Sequence, residues 1–382
     1  MAPYMTHSVE KPLNREPPLK ELVSSFLTTS GAYDRNHGPI PHLDADTHLL
    51  TIDGEVNNPV TLTVSQLRNN YPQHEVVSAL QCAGNRRHTM RTLLKEVKGL
   101  DWCDGAVMNC SWKGPRLRDV LLSAGVRGSK DRAMTGDSAL HVAFACYQTL
   151  CQDDSYYGGS IELERAMKSD AEVILALEMN GKPLEPKHGF PIRTVVPGVA
   201  GARWVKWLDR ITVQAKESES FYQQHDYKIL PPEASTWEIA EDFWAKYPSM
   251  QDMPINSVVA VPAEGETIQL TSRGLMETKG FAVPEGDNGP IVRVEVSADE
   301  GHTWYDAELD NEGKRGRWCW VLWRATIPAT SDCRTIFSRA TDSAGNTQDR
   351  ALSEWNIRGV GFNGWGAARY LTVVAESDRS VL

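Results

Sequence analysis

The chain has 382 residues, 41% hydrophobic, 24% charged and 8% aromatic, which excludes a single small module and disorder on a large scale. Two or three compact domains are expected, with cores that need no disulfide or metal staple. Forty Lys and Arg against fifty Asp and Glu give a formal net charge of -10, which argues against nucleic acid or an anionic membrane as partner but leaves room for a small anion held by a local field.

In chain order, the N-terminal stretch MAPYMTHSVEKPLNREPP lacks the roughly 7 to 15 residue apolar core of a secretory signal, and no run approaches the roughly 20 apolar residues of a membrane span. "THLLTIDGEVNNPVTLTV" predicts two strands around an Asn-Asn-Pro turn. "GPRLRDVLLSAGV" places Leu117, Val120, Leu121 and Ala124 at helical spacing, with Gly125 as the stop. "AEVILALEMNGKPL" is a buried apolar run ended by an Asn-Gly turn. Short β-rich runs thus alternate with helical stretches up to about residue 215, the pattern of a mixed α and β domain. Residues 216–250 are polar, aromatic and proline-bearing with little periodicity, and predict an ordered connector that crosses a surface.

From residue 251 the pattern changes to short alternating segments. Val292, Val294 and Val296 alternate with polar residues ahead of an Asp-Glu-Gly turn, and "RWCWVLWRATI" and "CRTIFSRATDSAGNT" continue the theme. The fold class is therefore α+β, with residues 251–382 expected to form an all-β, immunoglobulin-like sandwich. There is no fixed-period repeat. The cysteines Cys82, Cys103, Cys110, Cys146, Cys151, Cys319 and Cys333 are irregularly spaced with no CxxC pair, as suits a reducing compartment. The chain ends Ser380-Val381-Leu382, the Ser-x-Leu outline of a peroxisomal address without its basic middle residue, so a peroxisomal or cytoplasmic location is expected.

No GxSxG elbow, HExxH helix, P-loop or GxGxxG fingerprint is present. In "VVSALQCAGNRRHTM" an apolar run ends at Cys82, and a small-residue turn leads into Arg86 and Arg87. Neighbouring arginines lower a thiol pKa, and a thiolate is a soft ligand for a transition metal. The plainer alternative, a core cysteine beside a solvated arginine pair, is favoured by these residues alone. "SGAYDRNHGPIP" groups Arg35, Asn36 and His37 before Gly38 and Pro39, a rigid loop able to hydrogen-bond an anion or a heteroaromatic ring, or a polar turn with a capping histidine. "KHGFPIRTVVPGVAGARWVKW" sets His188, Arg193, Arg203 and Lys206 among glycines and prolines, which suits phosphate as well as a surface loop. In "EWNIRGVGFNGW", Arg358 stands in a β-rich region, where a lone Arg usually packs its stem on a Trp.

Taken in order, "RNHGPIP", "LQCAGNRR", "HGFPIRTVVPGVAGARWVKW", "DYKILPP" and "WNIRGV" resemble the eukaryotic sulfite oxidase family of molybdopterin enzymes, from about Pro17 to Trp365. The likeness is to the plant-type form, with a molybdenum domain and a dimerisation domain and without the cytochrome b5 domain. The resemblance implies a molybdopterin-binding catalytic domain over 1–250, a dimerisation domain over 251–382, a molybdenum-molybdopterin cofactor and no haem. It implies that Cys82 ligates molybdenum. It puts Tyr33, Asp34, Arg35, Asn36 and His37 along the pterin, with Cys146, Tyr147 and Gln148, and gives the cofactor and its phosphate to His188, Arg193, Trp204, Val205 and Lys206. Arg35, Arg87, Trp102, Tyr227 and Arg358 match the oxyanion pocket. Three departures stand out: Trp102 lies one residue further from the cysteine than in the family, Gln148 stands where relatives often have Asp, and Trp204 stands where Ser is common.

The implied activity is oxidation of sulfite to sulfate, with electrons passed to oxygen or an external acceptor by a homodimer. Trp318, Trp320 and Trp323 offer an apolar face for that dimer. The alternatives are a nitrate-reducing molybdenum fragment, in which Met replaces Arg358 and Lys-Glu-Gln replaces His88-Thr89-Met90, and a catalytically silent cofactor carrier, which would need no oxyanion pocket.

Overall fold

The computed structural model describes residues 9–126, 140–310 and 316–375; the C-terminal tripeptide lies outside them. A five-stranded sheet runs in the order Val60–Thr63, Leu49–Gly54, Arg210–Gln214, His141–Cys146, Tyr157–Glu162. Arg210–Gln214 lies parallel to Leu49–Gly54, and the other pairings are antiparallel. A second sheet pairs Gln73–Gln81 with Val107–Pro115 along their full length and continues into the short hairpin Glu178–Met179 and Lys182–Pro183, closed at Asn180 and Gly181. Leu50, Ile52, Leu67, Trp112, Phe144, Ile211 and Val213 are fully buried in the core these elements share.

Local chemistry sets the helices. Thr63 and Gln66 form a reciprocal capping box that starts Val64–Asn69, each side chain taking the other's backbone N–H. Leu117–Ser123 buries Leu117, Val120 and Leu121, and stops where Gly125 takes a φ of 70°.

Two four-stranded sheets enclose a separate core in the C-terminal part. One runs Asn256–Val261, Leu275–Val283, Val321–Pro328, Glu308–Asp310; the other runs Tyr305–Asp306, Ile291–Ser297, Ile336–Asp342, Gly366–Ala368. Val259, Met276, Val294, Val296, Trp323 and Ile336 fill the space between them. Gly280 is required in its strand, because a Cβ there would meet the Trp323 ring and the Val258 carbonyl.

Three expectations need correction. Trp318, Trp320 and Trp323 are all buried within the chain, so they form no exposed face. Trp318 packs into the first core, and the Trp320 indole donates to Phe26 O at 2.8 Å. Residues 216–250 do not simply cross a surface: Tyr222, Gln223, Asp226, Tyr227, Leu230 and Trp244 are buried. Arg203 staples this stretch by donating to the carbonyls of Met250 (3.2 Å), Tyr222 (3.1 Å) and Tyr227 (3.4 Å). Nor are Arg86 and Arg87 a solvated pair; both are buried. Arg86 reaches into the C-terminal part, donating to Asn256 Oδ1, Gly364 O and Trp365 O, each at 2.6 Å, with its guanidinium 4.6 Å from the Phe362 ring centroid.

Candidate active site

Cys82 is the first residue after the strand Gln73–Gln81 and holds its register through Cys82 N donating to Ala106 O at 2.9 Å. Ala83, Gly84 and Asn85 then turn the chain sharply, and Asn85 Oδ1 receives the Ala106 N–H at 2.9 Å. Arg86 adopts a left-handed φ of 68° and caps the helix Arg87–Leu93. This strand-turn-helix unit sets the thiol at the wall of a cleft enclosing about 720 Å³ of space free of protein atoms, its open mouth included.

Four other segments meet there. Tyr33, Arg35, Asn36, His37 and Gly38 form one wall, His188 and Arg193 a second, Gly201 to Trp207 a third, and Tyr227 closes it. Among the described residues the cleft is lined by three basic side chains, Arg35, Arg193 and Lys206, and by no carboxylate. On a chain of net charge -10 this is a local reversal of field.

Arg35 is held by donating to Asn14 Oδ1 (3.2 Å), Asn36 O (2.5 Å) and His37 Nε2 (2.7 Å). Because a guanidinium only donates, His37 Nε2 must accept, and the Tyr227 hydroxyl at 2.9 Å must donate to the same nitrogen. Burial, then Arg35, Lys206 and Arg358, push the His37 pKa well down, so the ring is neutral. Tyr222, Tyr157 and Tyr227 surround it, with ring centroids at 4.2, 5.0 and 6.0 Å. Lys206 donates to Arg35 O (3.0 Å), Lys187 O (2.9 Å) and Asn36 Oδ1, and burial followed by Arg193 depresses its pKa strongly. Arg193 donates to His188 O (2.9 Å) and Trp204 O (3.2 Å) and lies over Trp112; burial lowers its pKa to about 10.

Cys82 departs from its sequence expectation. Burial raises the thiol pKa and outweighs the lowering by Arg35 and Arg87, so the sulfur keeps its proton unless a cation displaces it. Among the residues singled out from the sequence, Tyr33, Arg35, Asn36, His37, Cys82, His188, Arg193, Trp204, Lys206 and Tyr227 line the cleft.

The others stand back from it. Asp34 pairs with Arg15 at 2.9 Å. Cys146 and Val205 lie in the core, while Tyr147 and Gln148 are exposed, the Gln148 amide donating to Asp209 at 2.8 Å. Trp204, one of the lining residues, donates to Val199 O at 3.0 Å and packs edge-on to Trp112. Trp102 lies behind Tyr33, ring centroids 6.4 Å apart, and its buried indole N–H finds no acceptor among the described residues.

Arg87 donates to Arg358 O (2.8 Å) and Leu100 O (2.7 Å), and burial followed by Arg358 lowers its pKa to about 10. Gly84, Gly99 and Gly359 close around its side chain, since a Cβ on any of them would collide with it. Arg358 is paired with Asp226, Nε to Oδ1 2.7 Å. Sequence reasoning missed Asn14, Cys151, Tyr157 and Tyr222; only the last had a signal, in the aromatic richness of its segment.

A family profile described as "Oxidoreductase molybdopterin binding domain" matches residues 37–222, and one described as "Mo-co oxidoreductase dimerisation domain" matches residues 247–369. The chain is 42% identical over 372 residues to the mitochondrial sulfite oxidase of Homo sapiens, covering 95% of this chain and 65% of that protein. It thus spans about 65% of the length of that curated relative. It is 39% identical over 377 residues to the sulfite oxidase of Arabidopsis thaliana, covering 95% of this chain and 93% of that one. The fold is similar to that in the crystal structure of the sulfane dehydrogenase SoxCD from Paracoccus pantotrophus, with a TM-score of 0.74 at 24% identity over 96% of this chain and 89% of that one.

Proposed function

From the premise that this chain belongs to the sulfite oxidase family of molybdopterin oxidoreductases, we propose that it oxidises sulfite to sulfate at a molybdenum-molybdopterin centre held by Cys82. The observation that carries this reading is the cleft itself: a thiol among the basic side chains Arg35, Arg193 and Lys206, with no carboxylate in the lining among the described residues. A soft sulfur donor suits molybdenum, Arg193, Lys206 and His188 suit the pterin phosphate, and behind Tyr33 the buried Trp102 indole N–H is left without an acceptor among the described residues. When bound, such a group supplies two-electron redox chemistry and oxygen transfer; binding, orientation and electrostatics fall to the protein.

Arg35 presents a fixed cation to the anionic substrate. Burial disfavours its charge, yet its pKa is raised, and at neutral pH the nearby Asp226 carboxylate is the anion that favours the guanidinium. Arg87 and Arg358 back the same pocket and extend the positive field. Tyr227 keeps its proton, burial holding its pKa well above the usual value, so its hydroxyl is a donor that turns from His37 to an oxygen of the substrate. Such preorganised donors act without reorganisation at the moment of reaction.

The remaining assignments follow from the same reading. Residues 1–250 form the catalytic domain and 251–382 an immunoglobulin-like domain through which two copies pair. Electrons leave to oxygen or an external acceptor, and the location is peroxisomal or cytoplasmic. Among the described residues no helix is long and apolar enough to cross a membrane. The test is to load the protein with cofactor and follow sulfite-dependent reduction of ferricyanide. Turnover is expected; nitrate reduction with a viologen donor and no response to sulfite would overturn the proposal.

A further inference from the structure

Residues Leu13 to Glu16 lie outside the stretch that the molybdopterin profile matches, yet they back the loop that carries Arg35. Arg15 N donates to Asp34 O at 2.9 Å, Asp34 N to Arg15 O at 2.8 Å and Asn36 Nδ2 to Leu13 O at 2.6 Å, so the two segments are zipped together. Asn14 is at the centre of this contact and is 2% exposed. Its Oδ1 accepts from Asn36 N at 3.0 Å and from Arg35 Nη1 at 3.2 Å, and its Nδ2 donates to Pro12 O at 2.9 Å and to Asn36 O at 3.2 Å. Two N–H donors on one side and two carbonyls on the other decide which way the amide points. Arg15 meanwhile takes up the Asp34 carboxylate at 2.9 Å. Among the described residues, the hydrogen bonds given by Arg35, Arg193 and Lys206 all end on neutral atoms: main-chain carbonyls, His37 Nε2, and the amide oxygens of Asn14 and Asn36.

We infer that Asn14 is a positioning residue for the substrate: it holds Arg35 at the cleft wall without neutralising it, and so sets the affinity for the oxyanion. The inference rests on the sulfite-oxidising reading above and adds to it a residue that the reading does not use. An aspartate has the shape of asparagine and would grip the guanidinium harder, because hydrogen bonds between charged partners are the stronger ones. Its charge, however, would cancel the one that Arg35 offers to an incoming anion. Its second oxygen would also face Pro12 O and Asn36 O, where the amide now donates. The neutral acceptor gives up some grip on Arg35 and keeps the field. Dianionic sulfite and the sulfate formed from it carry the same charge, so cancelling the field weakens the bound substrate and the transition state alike. Loss of such uniform binding raises KM and leaves kcat in place.

The experiment compares Asn14→Asp and Asn14→Ala with the parent in cofactor-loaded protein, by sulfate titration in a calorimeter and by the KM and kcat for sulfite. In Asn14→Asp, sulfate is expected to bind about tenfold more weakly or worse and the sulfite KM to rise by the same factor, with kcat changed by less than about threefold. Asn14→Ala loses the anchor but adds no charge, so its loss of affinity is expected to be smaller, about threefold. Should Asn14→Asp fail to fold, Asn14→Ala carries the test alone: a raised KM at parental kcat supports the inference and a parental KM overturns it. Parental sulfate affinity in Asn14→Asp, equal losses in the two variants, or a fall in kcat at unchanged KM would each overturn it as well. A parent that binds sulfate in the expected order of affinities but leaves sulfite unoxidised sinks the functional reading and keeps the role of Asn14. Sulfite turnover in a parent whose sulfate affinity matches that of Asn14→Asp does the reverse, and a parent that neither binds sulfate nor oxidises sulfite ends both.

Discussion

Cys82 combines two properties that rarely coincide, a cysteine buried enough to raise its pKa and a lining rich in cations. The first makes an inert structural thiol; the second makes sense only if something anionic, or a metal carrying anionic ligands, enters. Cys82→Ser retains the size and removes the soft donor, so the purified variant is expected to release its pterin on denaturation as the parent does while sulfite-dependent ferricyanide reduction falls to background. Parental turnover in the variant would remove Cys82 as the metal ligand. Residue types that carry chemistry were legible where they cluster along the chain, as at Tyr33 to His37 and His188 to Lys206. Asn14 and Asp226 were not, because their meaning comes from partners 22 and 132 residues away. The direction of the Cys82 pKa shift also escaped, since two adjacent arginines are visible in sequence and burial is not.

One loop shows how an element holds a site it does not line. The segment from Gly99 to Gly105 supplies the Leu100 carbonyl to Arg87, carries Trp102, and receives Arg86 N and His88 N on Cys103 O and Trp102 O. It is fixed in turn by Glu16, whose carboxyl accepts from Cys103 N at 2.8 Å and from Gly105 N. Burial raises the Glu16 pKa from 4.5 to about 8 despite those two donors. Between these values the folded chain keeps a proton that the unfolded chain has released, so this group's contribution is fully present below pH 4.5 and is lost as pH rises through about 8. Thermal melts from pH 5 to pH 8 are therefore expected to show a shallower decline in Glu16→Gln than in the parent, and equal slopes would rule the assignment out. The strands flanking Asn180 and Gly181 and the helix stopped by Gly125 were readable because period and turn chemistry agree. The 216–250 segment misled because its polar residues are buried and satisfied: Gln223 donates to Glu217 at 2.6 Å and Ser249 at 2.8 Å, bonds that a composition-based reading turns into a solvated surface.

At the scale of the molecule, two cores are joined by a seam that passes directly behind the cleft. Arg86 is its central bolt, because it leaves the same turn that presents Cys82 and ends on three acceptors in the C-terminal part, with Asp104 3.6 Å from Nε. Burial lowers its pKa to about 10, which still leaves it charged at neutral pH. Trp318 and the Trp320 indole reinforce the seam from the other side, which is why these rings are spent inside one chain rather than between copies. Replacing Arg86 by Met fills the volume but strips the donors from Asn256, Gly364 and Trp365 while leaving Asp104 without its cation. Removing one partner from a buried charged network costs about 3 to 5 kcal/mol. Because the three lost hydrogen bonds span the two cores, the loss is expected to uncouple them: calorimetry should show one transition in the parent and two in Arg86→Met, the first at lower temperature and accompanied by loss of sulfite turnover as Arg87 and Arg358 part. A single transition in the variant at the parental temperature would mean that the two cores are held together elsewhere, and that the geometry of the pocket does not depend on this arginine.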